Sequence, residues 1–199
     1  MSTPDTAPRD GGTAYLMRRL VTPANREAAA ALVQDRALQL AERGINLPAE
    51  HAAVFRDPQA EALGLYDQYA GEDILVGCLV LRRKASTLTL PLAYTAPKPD
   101  SHVGLLMTLW AADYAARLDL QGVTAEAPVH HSTPGDTSNR LLSHLETRGW
   151  RHIGSRRDAA GTLTAVLWLP AQASPAVGLL VTCHVPITAP GATAERDVR

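Results

Sequence analysis

Residues 73–110 read DILVGCLVLRRKASTLTLPLAYTAPKPDSHVGLLMTLW, and the order of patterns within them sets the expected fold. Residues 74–81 form an unbroken apolar run around Gly77, as expected of a strand covered on both faces. The cluster Arg82-Arg83-Lys84 closes it. Residues 87–94 then alternate, with Leu88, Leu90 and Leu92 set against Thr87, Thr89 and Pro91, the period of a second strand. Pro91 and Pro97 interrupt that pattern, because proline has no N–H for a ladder, and residues 97–100 read as a loop. From Gly104 the period becomes helical, with Leu106, Leu109, Trp110, Tyr114 and Leu118 as the buried stripe.

Working outward, residues 14–21 read as a strand. Thr22-Pro23 supplies an N-cap and a proline at the first helical position. The helix that follows carries Ala29, Leu32, Val33, Ala37, Leu40 and Ala41 on one face, reaches about Arg43 and stops at Gly44. A short helix is expected at 49–56 and a strand at 62–68. On the other side come a strand at 123–127, a loop at 130–135 and a helix at 138–148 with Leu141, Leu142 and Leu145 on one face and Gly149 as its C′ residue. Residues 150–155 and 162–169 read as a hairpin. The reading is α/β: a mixed central sheet of about six or seven strands with helices on both faces, plus an extra C-terminal strand. Residues 14–169 form the domain, 1–13 are a disordered start, and 170–199 are an extension with an apolar strand at about 177–187 and a loose polar end. An apolar edge of that kind is open to a second copy of the chain, a homodimer.

The formal charge of −1 gives no general attraction to nucleic acid or anionic membrane. The two cysteines, Cys78 and Cys183, lie far apart in apolar runs, so neither a disulfide framework nor a metal site is expected. The start of the chain lacks the apolar core of a signal peptide and no stretch is long enough for a membrane span, so a cytoplasmic protein is expected.

Three segments carry a resemblance to a known family: ALVQDRALQLAERGI at 31–45, DILVGCLVL at 73–81 and NRLLSHLETRGWRHIG at 139–154, where Trp150 takes the aromatic position of a closing Gly-aromatic signature. In this order, over residues 14–169, the chain resembles the GNAT superfamily of N-acetyltransferases. The resemblance implies acetyl transfer from acetyl-CoA to a primary amine of a small molecule or a protein, by direct attack in a ternary complex. It implies a splayed gap between the fourth and fifth strands for the pantetheine arm. It also implies a loop before the next helix that wraps the pyrophosphate with backbone N–H groups and a helix N-terminus, and a first helix and its loop that cap the acceptor pocket.

Carried onto this chain, the resemblance implies that Leu92, Tyr94, Lys98, His102, Val103, Gly104, Leu105 and Asn139 contact the donor. Tyr94, His131 and Glu126 are the candidate proton-transfer groups. Tyr94 ends the fourth strand, Glu126 lies in the fifth, and His130 and His131 follow it; a histidine there titrates near neutral pH. The chain departs from the family pattern at three places. His102 stands where a glycine is usual, Pro99 where Arg or Gln is usual, and Leu145 where many members carry a thiolate-protonating tyrosine. These departures keep a second reading open, a GNAT-like binding or scaffolding domain without catalysis, and a third in which another acyl carrier is the donor.

Overall fold

A computed structural model describes residues 15–42, 45–69, 71–97, 102–128, 137–157 and 163–185. The elements run β1 (Tyr15–Arg19), α1 (Pro23–Ala41), α2 (Glu50–Arg56), β2 (Glu61–Tyr69), β3 (Glu72–Lys84), β4 (Thr87–Thr95), α3 (Val103–Arg117), β5 (Gly122–Pro128), α4 (Thr137–Glu146), β6 (Arg151–Arg157), β7 (Leu163–Pro170), α5 (Pro175–Leu180) and β8 (Val181–Cys183). The expected loose segments 1–13 and 190–199 lie outside the described residues.

The strands form one sheet in the order β6-β7-β5-β4-β3-β2-β1-β8. The pairs β4–β5 and β1–β8 are parallel and the others antiparallel. From Gly77 to Leu81 the apolar run of β3 is buried on both faces, with Cys78 and Val80 in a core with α1 and α2 and Leu79 and Leu81 in one with α3, whereas Ile74 at its start is exposed. Local signals fix the helix ends. The Asn25 N–H donates to Thr22 Oγ1 at 3.1 Å, capping α1. Gly149, at φ +92°, follows α4, and the Trp150 N–H reaches back to the Leu145 carbonyl at 3.2 Å in a Schellman closure. Leu142 and Leu145 pack on the α3-side core, and Trp150 is buried with its indole N–H donated to Thr108 Oγ1.

Several expectations change. Leu141, expected on the apolar face of α4 with Leu142 and Leu145, is exposed. Leu109 is exposed, because α3 buries an arc running from Val103 and Trp110 to Thr108 and Ala112, which leaves Leu109 outside it. The second half of the α1 stripe is only partly covered, since Ala41 is exposed and Ala37 and Leu40 are half-buried where the helix leaves the sheet. The run from residue 177 opens as the helix α5 and only then becomes strand. Pro175 sits in its first turn, and the preceding Ser174 N–H is donated to Asp113 Oδ1 at 2.8 Å.

The extension is tied at several points. Asp113, buried on α3, also pairs with Arg117 at 2.7 Å. β8 then lies along β1, far from β4 and β5, with Val177, Val181 and Val185 in the core. No described helix is long and apolar enough to cross a membrane. Burying a valine is worth about 1.5–3 kcal/mol, and in a chain of this size about 1 kcal/mol moves the midpoint by about 2–4 °C. A chain ended after Ser174 is therefore expected to melt about 10 °C lower or not to fold. An unchanged thermal midpoint, read by circular dichroism, would contradict the assigned anchoring role.

Candidate functional site

The geometry begins in β4. Between the pairs Val80↔Leu92 and Arg82↔Thr89, β3 advances two residues and β4 three. The extra residue falls in the Leu90-Pro91 stretch and makes a β-bulge. The bulge reverses the side-chain parity: Leu88 and Leu90 join the α3-side core, while Leu92 and Tyr94 pack on the α1–α2 side. The sequence pattern had put all three leucines on one face. The parallel pairing of β4 with β5 also ends there, at Leu90↔Ala125.

Beyond that point β4 continues to Thr95 paired with β3, and β5 continues to Pro128 paired with β7. Neighbours through Leu90, the two strands are splayed after it. The Ala96 N–H donates to the Val76 carbonyl at 2.9 Å. That fixes the alternation: Leu92 and Tyr94 turn their backbone groups toward β3, and Ala93 and Thr95 turn theirs toward the gap. Among the described residues no strand pairs with that side of β4.

The first turn of α3 lies over the same end of β4. A Cβ on Gly77, the partner of Thr95, would stand 2.8 Å from Met107 Sδ and 3.6 Å from Val103 Cγ1. The first bond within this turn runs from the Leu106 N–H to the His102 carbonyl at 2.8 Å, so the amides of Val103, Gly104 and Leu105 lack an acceptor inside the helix. His102 occupies the N-cap without a side-chain cap bond. A guanidinium stands by: a Cβ on Gly104 would be 3.3 Å from Arg148 Nη1. Backbone donors, the positive end of the helix and a cation together suit an anion.

On the other face, the Tyr94 hydroxyl meets His51 Nδ1 at 2.5 Å, and the Phe55 ring packs edge-on against the Tyr94 ring with centroids 6.4 Å apart. His51 and Phe55 both come from α2. Burial holds the His51 imidazole below its usual range, with Glu50 pulling the other way. Burial, helped by the Cys78 thiol beneath, pushes the Tyr94 phenol well above its usual range. The C-terminal half of α1 bounds the same corner, where Gln39 Nε2 donates to the Pro97 carbonyl at 2.7 Å.

The stretch of β4 that carries Leu92 and Tyr94 thus ends beside the first turn of α3, which brings His102, Val103, Gly104 and Leu105 to the same end of the gap, while the Leu92 and Tyr94 side chains lie on the opposite, α1–α2 face. Glu126 is in β5 on the far side, and both its carboxylate oxygens are engaged by Arg156 of β6. Lys98 and His131 lie outside the described residues. Asn139 sits in the first turn of α4, and its side chain is outside them too. Sequence reasoning missed His51, Arg148 and the backbone of Ala93 and Thr95. Only Arg148 carried a local hint, a cation beside the closing Gly149. Among the described residues no group of three His, Cys, Asp or Glu could hold a metal ion.

No family model matches the sequence, and neither does any curated protein. Solved structures do match in shape. A Lactobacillus plantarum protein assigned as an N-acetyltransferase superposes with TM-score 0.56 at 21% identity, over 80% of this chain and 100% of that one. A GNAT-family acetyltransferase of Bacillus anthracis gives 0.57 at 14% identity, over 80% and 96%. An aminoglycoside 6′-N-acetyltransferase complexed with coenzyme A gives 0.52 at 11% identity, over 80% and 98%. Together with the splayed β4–β5 pair and the mixed sheet, these likenesses agree: the chain has the fold of the GNAT N-acetyltransferases.

Proposed function

We propose that the chain is an acyl-CoA-dependent N-acyltransferase that moves an acetyl group from acetyl-CoA to a primary amine of a small molecule or protein, by direct attack in a ternary complex. The observation that carries this reading is the gap between β4 and β5, with the N-terminus of α3 at its end. Acetyl-CoA, when bound, supplies the acyl group as an activated thioester. The amides and carbonyls of Ala93 and Thr95 fit an amide-bearing arm laid beside β4 in place of a strand. The amides of Val103, Gly104 and Leu105, with Arg148, fit a pyrophosphate. Lys98, His102 and Asn139 keep their sequence-based roles in this proposal, as does His131 near the acceptor. Glu126 is left out of the proton path because Arg156 takes both its oxygens. The relative of like fold solved with coenzyme A adds support at the level of fold.

Titration calorimetry with acetyl-CoA and with CoA tests the reading, and saturable binding in the micromolar range is expected. No heat at millimolar ligand would sink it. The role given to Arg148 has its own check. A hydrogen bond to a charged group is worth about 1.5–3 kcal/mol, so Arg148→Ala is expected to weaken CoA binding by about 10- to 100-fold. An Arg148→Ala protein that binds CoA as the wild type does would remove the residue from the phosphate site.

A further inference from the structure

We infer that Tyr94 and His51 form a proton relay for the acceptor amine, in which the phenol faces the reacting nitrogen and His51 is the positioning residue that holds the phenol and takes its proton. The inference rests on the acyltransferase reading above. Its ground is the arrangement at the splayed end of β4. The bulge turns Tyr94 away from α3, onto the face covered by α1 and α2, between the gap-facing backbone of Ala93 and Thr95. A donor arm held along β4 therefore puts its thioester beside the Tyr94 ring. The phosphate end lies at α3, so the acceptor comes from the opposite face, where the Tyr94 hydroxyl meets His51 Nδ1 at 2.5 Å. Phe55 of α2 packs edge-on against the ring.

The proton movement balances. The amine nitrogen bonds to the thioester carbonyl carbon and gives up a proton to Tyr94 Oη. The phenol's own proton passes to His51 Nδ1, leaving a neutral tyrosine and an imidazolium. The C–S bond breaks and its electron pair leaves on the thiolate. Tyr94 begins and ends as a phenol, consistent with a group that burial keeps from ionising. His51 begins neutral, as its burial favours, and is exposed enough to return its proton to water. The charged surroundings leave it that freedom. Glu50 is its neighbour in α2, and the Cys78 thiol of β3 lies under Tyr94. On α1, Arg26 is tied to the carbonyls of Phe55, Asp57 and Ala60, and Glu27 is paired with Arg56.

Two conservative variants test the relay in the full chain. His51→Gln leaves an amide that can still hold the phenol by a hydrogen bond but cannot take its proton, and Tyr94→Phe removes the hydroxyl. Thiol release from acetyl-CoA would be followed with spermidine, tyramine and an alanine-initiated tetrapeptide as probe amines, alongside CoA calorimetry and thermal melts. Both variants are expected to bind CoA within about twofold of wild type. With the probe amine that the wild type acetylates best, both are expected to lose about 100-fold in kcat with the KM for acetyl-CoA unchanged, in the range of general acid–base catalysis. The double variant should be no worse than either single one, since the two groups act as a unit. Wild-type kcat should climb with pH through the imidazole titration, below the usual histidine value of 6.5, and His51→Gln should lose that limb. Retention of more than a third of kcat in His51→Gln, or an intact acid limb, overturns the relay. So does a wild type that binds CoA yet acetylates none of the three amines. A wild type that binds no CoA overturns the acyltransferase reading itself.

Discussion

The β-bulge at Leu90-Pro91 is the constraint on which the rest of the site depends. Inserting one residue into β4 bends the strand and raises its local twist, and the proline at the same place has no N–H to offer a neighbour. The parallel pairing with β5 stops at that point, and the two strands run on with different partners, β3 for one and β7 for the other. Backbone groups left without a ladder are costly only where water cannot reach them. Ala93 is exposed and Thr95 half-exposed, so the edge that the bulge opens is hydrated until something replaces the missing strand.

The same bulge decides what faces what. Without it, Leu88, Leu90, Leu92 and Tyr94 would lie on one face, and Tyr94 would be pressed into the α3-side core. With it, the tyrosine crosses to α2 and finds a histidine. Packing on the α3 side then fixes the end of the gap where α3 begins. Gly77 lets the first turn of α3 come down on β3, where any larger residue would meet Met107. Trp150 braces that turn from α4's end, donating to Thr108, whose hydroxyl in turn donates to the Gly104 carbonyl at 3.0 Å. At the helix's other end, Asp113 pins the C-terminal extension. Elements from four parts of the sequence thus hold one helix end in register with one strand end.

The fold was legible where the signal is local. Thr22-Pro23 and Gly149 announce helix ends because capping needs particular side chains and dihedrals, and the apolar run of β3 announces a strand buried on both faces. The bulge was not legible. Alternation at residues 87–94 looks the same with or without an extra residue, and the extra residue exists only relative to β3. The helix at the start of the extension was hidden for a related reason, since Val177, Leu179 and Leu180 suit a strand equally well and the anchored Ser174 before Pro175 turns them. His51 carried no signal at all. It lies 43 residues from Tyr94 in sequence, and its meaning comes from how α2 packs on the sheet.

The departures in the phosphate loop bear on this distinction between local and spatial information. A pyrophosphate is held by backbone N–H groups, by the positive end of a helix and by nearby cations, and the first two belong to any helix whose first turn is open. Of the glycines the family pattern asks for, the last has its counterpart in Gly104, in the first turn of α3. The cation need not come from the loop. Charge acts through distance, not chain order, and a guanidinium a few ångströms from the helix end contributes wherever its Cα sits. Arg148, from the turn after α4, stands there. Proline at 99 and histidine at 102 therefore remove a sequence motif but leave a helix N-terminus with a guanidinium beside it, and the proposed anionic donor would be held by α3 and Arg148 together.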